Sequence, residues 1–223
     1  MTGTDTARGT DRSAHEDREV ARRRTLELVA VIVLSTTTIL TAWSAFEASK
    51  WGGAMSIAFS EASSARLEST RLDGAADVRA SNQIALWTQW AAATAGGDAA
   101  LASFLLERFP EPLATAHEDW LDAGGVAPGS PASPFDMPSY IIPERVAATA
   151  QSDRADGRFQ EALRNNQRGD NYTILTVLFA SVLFFTAMSG RVRALLAQEI
   201  LLGTALVAGV VGVVLLAVFP KLV

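Results

Sequence analysis

LELVAVIVLSTTTILTAWSAF, residues Leu26–Phe46, is the stretch that decides the fold. Its 21 residues carry a single charge, Glu27, close to one end. A bilayer's hydrocarbon core asks for about 20 predominantly apolar residues in a helix. YTILTVLFASVLFFTAM (Tyr172–Met188) and ILLGTALVAGVVGVVLLAVF (Ile200–Phe219) have the same character. The second stretch is slightly short and extends into the residues that flank it. Between the first two lies a long polar, alanine-rich middle. The fold predicted is therefore all-α: three transmembrane helices, with an extracytoplasmic helical hairpin or bundle continuous with spans one and two. The boundaries predicted are a disordered basic tail over 1–25, span one over 26–46 and an outer helical domain over 47–171. Span two covers 172–190, a cytoplasmic turn 191–199 and span three 200–219.

Charge sets the orientation. The tail carries six arginines against five acids, with Arg22, Arg23 and Arg24 abutting span one. Arg191 and Arg193 lie between spans two and three, whereas the middle holds 17 acids against 10 bases. Basic residues in short segments near span ends stay cytoplasmic, while long loops translocate largely regardless of charge. The tail and the 191–199 turn are thus expected inside, with residues 47–171 and the C-terminus outside a bacterial inner membrane. The first stretch exceeds the hydrophobic region of about 7–15 residues in a cleaved leader, so it is read as a retained anchor. The chain has no cysteine, which removes disulfides and thiolate chemistry.

Beyond span one, Met55, Ala58, Phe59, Ala62 and Ala65 recur at helical steps. A long helix follows, predicted to bend or briefly break at Gly52-Gly53, since glycine weakens a helix. Gly96-Gly97 end it, and Asp98 suits the N-cap of a helix over Ala99–Phe109. Leu101, Phe104, Leu105 and Phe109 should form the buried face of that helix. A short helix over Leu113–Leu121 and a proline-rich loop over Asp122–Pro143 come next. From Glu144 a second long helix runs back into span two, weakened but not ended by Gly157 and Gly169. No heptad array long enough for an extended coiled coil is visible.

Thr41-Ala42-Trp43-Ser44-Ala45-Phe46-Glu47-Ala48-Ser49-Lys50-Trp51 stands where span one leaves the membrane. With Ala65-Arg66-Leu67-Glu68, Pro134-Phe135-Asp136-Met137-Pro138 and Asn166–Tyr172, it resembles the signature of a family of small bacterial integral membrane proteins of unknown function. The resemblance covers roughly Leu26–Arg193. It implies the topology above and brings no catalytic residue, cofactor or metal with it.

Chemistry is sparse along the chain. His117-Glu118-Asp119 is the one cluster of metal-ligand types, but consecutive residues fan outward from a helix. A zinc site also needs three or four ligands. The tripeptide is read as a solvated acidic face. Gly96-Gly97 and Gly124-Gly125 lack the lysine and spacing of a phosphate loop, and no serine sits in a nucleophile elbow. The acidic middle disfavours nucleic acid. An enzyme is the last choice, and neither cofactor nor metal is expected.

What remains are placements. Trp43 and Trp51 flank the outer boundary and Tyr172 sits where span two returns, so all three read as interface anchors. Thr37, Thr41 and Ser44 form a small polar stripe on span one. Ala205/Gly209 and Ala208/Gly212 are small pairs on span three that permit close helix approach. Trp87, Trp90 and Trp120 are read first as the bulky residues of an alanine-rich core, and they are the first choice if the protein has a ligand pocket. The partners expected are the bilayer and either a second copy or another membrane protein. The function expected is a scaffold or accessory subunit acting through helix association; the alternatives are an extracytoplasmic ligand sensor signalling through a partner and, after it, a homo-oligomeric pore.

Overall fold

Helices account for nearly all regular structure, with no strand among the described residues. The computed structural model describes residues 4–222, with side chains from Val20 onward. Helix α1 runs Thr4–Ala95, α2 Ala99–Leu106, α3 Leu113–Asp122, α4 Pro143–Ser189 and α5 Leu195–Val218, and a 3-10 turn forms at Pro134–Asp136. Helices α1, α4 and α5 each contain a stretch long and apolar enough to cross a membrane. The chain is an all-α membrane protein with three candidate spans.

Two features differ from the sequence prediction near the start. The tail expected to lack order is helical from Thr4; Met1–Gly3 lie outside the described residues. Nucleation is the costly step of helix formation, and a preformed span lets the helix propagate backwards one hydrogen bond at a time. Gly52-Gly53 do not break α1, which is helical throughout. Each glycine costs a helix about 1 kcal/mol relative to alanine, and the packing of adjacent Trp51, 4% exposed, outweighs that.

The chain divides into two compact units, residues 1–57 with 161–223, and residues 58–160. In the first unit, Trp51, Tyr172, Leu175, Phe179 and Leu216 form the core, with Leu40, Ala48 and Phe219 packed against it. Trp51 and Tyr172 are thus core residues and not boundary anchors. Trp51 lies under the Arg168 guanidinium at 4.6 Å, and the Tyr172 hydroxyl donates to the Pro220 carbonyl at 3.1 Å. Trp43 does face outward, 44% exposed. Glycines set how closely the helices meet. A Cβ on Gly169 would lie 3.6 Å from the Ala48 carbonyl oxygen, and one on Gly212 only 2.6 Å from Phe179 Cε1. The outward faces stay apolar: Leu28, Ile32, Ile39, Ile174, Val177, Ile200 and Val207 are all exposed, as lipid-facing positions should be. At one end of this unit Arg22 pairs with Glu199 at 2.6 Å, and Arg23 donates to the Arg193 carbonyl. The turn between the last two spans is shorter than predicted, because α5 already starts at Leu195.

In the second unit, α1 from Ala58 and the first part of α4 run antiparallel. Ion pairs fix their register: Arg158 with Glu61 at 2.9 Å, Arg66 with Asp156, Arg145 with Asp77 at 2.6 Å and Arg79 with Glu144. Exposed pairs stabilise by only about 0–1 kcal/mol each, so the seam beneath them matters more. Ala58, Ala62, Ala65, Ser69, Ala76 and Gln83 are its buried α1 positions, and they advance by three, four or seven residues. Ala148 and Ala155 face them from α4, with the Ser69 hydroxyl donating to the Ala148 carbonyl at 2.8 Å. That is a short run of heptad spacing, which the sequence reading, looking for an array long enough for an extended coiled coil, does not pick out. Alanine, serine and glutamine occupy the positions at which leucine or isoleucine would announce it.

Beyond Ala95 the chain turns into a cap of short elements. Asp98 is the N-cap of α2, its Oδ1 accepting from the Leu101 amide at 3.0 Å. Helix α2 stops at Leu106, earlier than predicted, and the chain tightens into 3-10 hydrogen bonds, Arg108 to Leu105 and Phe109 to Leu106, before Pro110. Leu105 and Phe109 are buried as expected, but Leu101 and Phe104 are 44% and 51% exposed. In the proline-rich loop, the Ser133 amide and hydroxyl both donate to Asp136 Oδ2, at 3.0 and 2.9 Å, which closes the 3-10 turn.

Candidate functional site

Trp87 and Trp90 lie three apart on α1, so their indoles project from nearly the same face. Trp120, from α3, closes on them: its ring centroid is 5.9 Å from that of Trp87, at 83° between planes. Trp87 and Trp90 are 6.4 Å apart and inclined by 33°. The sequence reading nominates these three residues together, and they converge on one cavity of about 540 Å³. Ala91, Thr94, Val126 and Ser130 supply much of the remaining wall. No charged side chain lines it.

The surroundings hold the rings in place. The Trp120 indole N–H donates to the Pro131 carbonyl at 2.8 Å, which ties α3 to the loop. Phe135, brought in by the 3-10 turn, meets Trp87 edge-on at 5.7 Å. Gly125 forms part of the cavity wall with φ +57, a conformation other residues rarely adopt, and a Cβ there would sit 3.5 Å from Leu121 Cδ2. Behind Trp90 and Trp120 lies His117, 1% exposed. Its ring is 4.4 Å from Trp90, 5.2 Å from Phe109 and 5.7 Å from Trp120. Neither imidazole nitrogen has a hydrogen-bond partner, nor does the Trp87 indole N–H. Burial pushes the His117 pKa below its ordinary value, because the cationic ring would lose its water.

His117 therefore corrects the sequence reading, in which it belongs to a solvated acidic face. Glu118 and Asp119 are exposed, but His117 points the other way. The signal was present in the spacing. Leu113, Ala116, His117 and Trp120 are the buried positions of α3, a helical face with the histidine at its centre. Reading His-Glu-Asp as a tripeptide hid it.

The remaining nominated residues sit in the first unit. Thr37 and Ser44 are buried and Thr41 half-buried. The Thr41 and Ser44 hydroxyls donate to the Thr37 and Leu40 carbonyls, at 2.7 and 2.9 Å, so both are satisfied within their own helix. Thr37 shares an apolar groove of about 330 Å³ with Ala205 and Gly209 of α5. Ala205 and Gly212 are buried, and Ala208 half-buried. Gly209 and Gly212 also face α4, at Val182 and Phe179. One residue escaped sequence reading. Glu47 is 1% exposed, and its Oε2 accepts from the Leu222 amide at 3.1 Å. With the Tyr172–Pro220 bond, it fastens the segment after α5 to both α1 and α4.

No family model matches the chain, and no curated protein or solved structure shows significant similarity to it.

Proposed function

We propose that this protein is a membrane-anchored receptor for a small ligand, held in the tryptophan cavity of the helical unit formed by residues 58–160. The observation that carries the reading is the convergence of Trp87, Trp90 and Trp120 on a cavity of about 540 Å³. Small-molecule sites have about that volume, are largely apolar and carry few polar groups. The indoles pack on one another at 5.9 and 6.4 Å and also border this open concavity, so they offer a ligand an aromatic wall that is already in place. In this reading the basic tail and the turn before α5 face the cytoplasm of a bacterial inner membrane, and the cavity faces outward. The cytoplasmic segments are short, so a partner protein carries any signal onward.

The test is thermal denaturation of the maltoside-solubilised protein across a library of small organic compounds. A subset should raise the melting temperature, and Trp87→Ala should abolish the rise. If no compound shifts the wild type, the receptor reading fails.

A scaffold or accessory-subunit role is the second reading, favoured by the groove between Thr37 and Gly209 and by the glycine-mediated packing of α5. Native mass spectrometry from gently extracted membranes separates the two. A discrete oligomer or a stoichiometric companion protein supports the scaffold, and a clean monomer removes it.

A further inference from the structure

We propose that the ligand of this cavity is a fully alkylated organic cation, a quaternary ammonium group of the kind choline carries. The inference rests on the receptor reading above and specifies the chemistry of the same site. Its first support is the wall. Trp87, Trp90 and Trp120 present indoles in two orientations, one pair inclined by 33° and a third at 83° to Trp87. Indole faces carry the strongest negative quadrupole among side chains and attract cations within about 6 Å.

The second support is the field around the cap. Residues 91–142 contain seven carboxylates, Asp98, Glu107, Glu111, Glu118, Asp119, Asp122 and Asp136, against one base, Arg108. Arg108 is already engaged: its guanidinium lies 3.6 Å over the Phe104 ring and donates to the Phe104 carbonyl. An anion approaching the cap meets repulsion, and a cation is drawn in.

The third support separates kinds of cation. A primary ammonium brings three N–H donors that each need an acceptor, and burying one without a partner is costly. The cavity's side chains offer no carboxylate, and only Thr94 and Ser130 contribute hydroxyls. A quaternary ammonium has no N–H to satisfy, so an aromatic, acceptor-poor wall suits it. Buried, neutral His117 behind the rings adds no competing positive charge.

Isothermal titration of the maltoside-solubilised protein with choline and with 3,3-dimethylbutan-1-ol tests this directly. The two molecules share a shape and differ in whether the central atom is a cationic nitrogen or a carbon. Choline should bind at least about tenfold more tightly, and raising the salt from about 20 to about 500 mM should weaken it several-fold. Trp87→Leu should remove choline binding. Trp90→Phe, which keeps an aromatic ring in place, should weaken it by a smaller factor in a protein that still melts cooperatively, so a folding failure of the first variant does not blur the result. Equal affinity for the two compounds overturns the cation assignment while leaving the receptor reading intact. Binding of neither also overturns it, and the receptor reading falls with it only if the compound library fails as well. Nanodiscs identify the source: choline binding lost in phosphatidylcholine but kept in phosphatidylglycerol marks a lipid headgroup, and binding kept in both marks a free solute.

Discussion

His117 shows how one side chain ties packing to pH. Surrounded by Trp90, Phe109 and Trp120 with both nitrogens unpartnered, it is held neutral. Its folded pKa lies below the ordinary 6.5, so the unfolded chain takes up the proton first as pH falls. The stability it lends is complete above about 6.5 and is lost as pH drops toward and through the folded value. The melting temperature of the purified protein should therefore fall between pH 7.5 and 5.0, and His117→Phe should flatten that slope. An unchanged slope in the variant would assign the effect to another group. Glu47 shows the same hidden character at the other extreme. In sequence it is the first charge after span one, as expected at a water boundary. In the structure it is buried, because the segment after α5 folds back to give it a backbone donor. No local pattern announces a partner 175 residues away.

At the scale of elements, α5 shows what spacing does and does not reveal. Its small residues are evident from the sequence as packing positions, but which helix each one meets is not. Ala205 and Gly209 border the groove with Thr37 of α1, while Gly212 lies against the Phe179 ring of α4. Gly212→Ala would set a methyl group 2.6 Å from that ring. Overpacking of this kind costs about 1–3 kcal/mol, to be read from unfolding in mixed micelles. Gly203→Ala, on the same helix with nothing within 4 Å of its Cβ, should be neutral or slightly stabilising. Equal losses in the two variants would mean that helix backbone and not contact dominates. The antiparallel seam of α1 and α4 carries a similar lesson. The long helices were legible from their periodicity and from the absence of proline. Their heptad register was not, because alanine serves on buried and exposed faces alike.

For the molecule as a whole, the three spans and the all-α character follow directly from apolar runs of sufficient length, and so were readable at the outset. Orientation rests on the arginines alone. A cysteine introduced at Ser130, half-buried in the cap loop, should react with a membrane-impermeant maleimide added to intact spheroplasts. Reaction only after lysis would invert the topology. The tryptophan site was readable as a set of residues, but its cavity was not, since the space depends on how α3 and the proline loop close over α1. Those five tryptophans also divide optically. Trp43 and Trp51 belong to the first unit, and Trp87, Trp90 and Trp120 to the second. Indoles spaced by 5.9 and 6.4 Å exchange excitation far faster than they emit. A ligand that fills the concavity they line should therefore shift the emission of the second unit and leave that of Trp43 in the first unchanged.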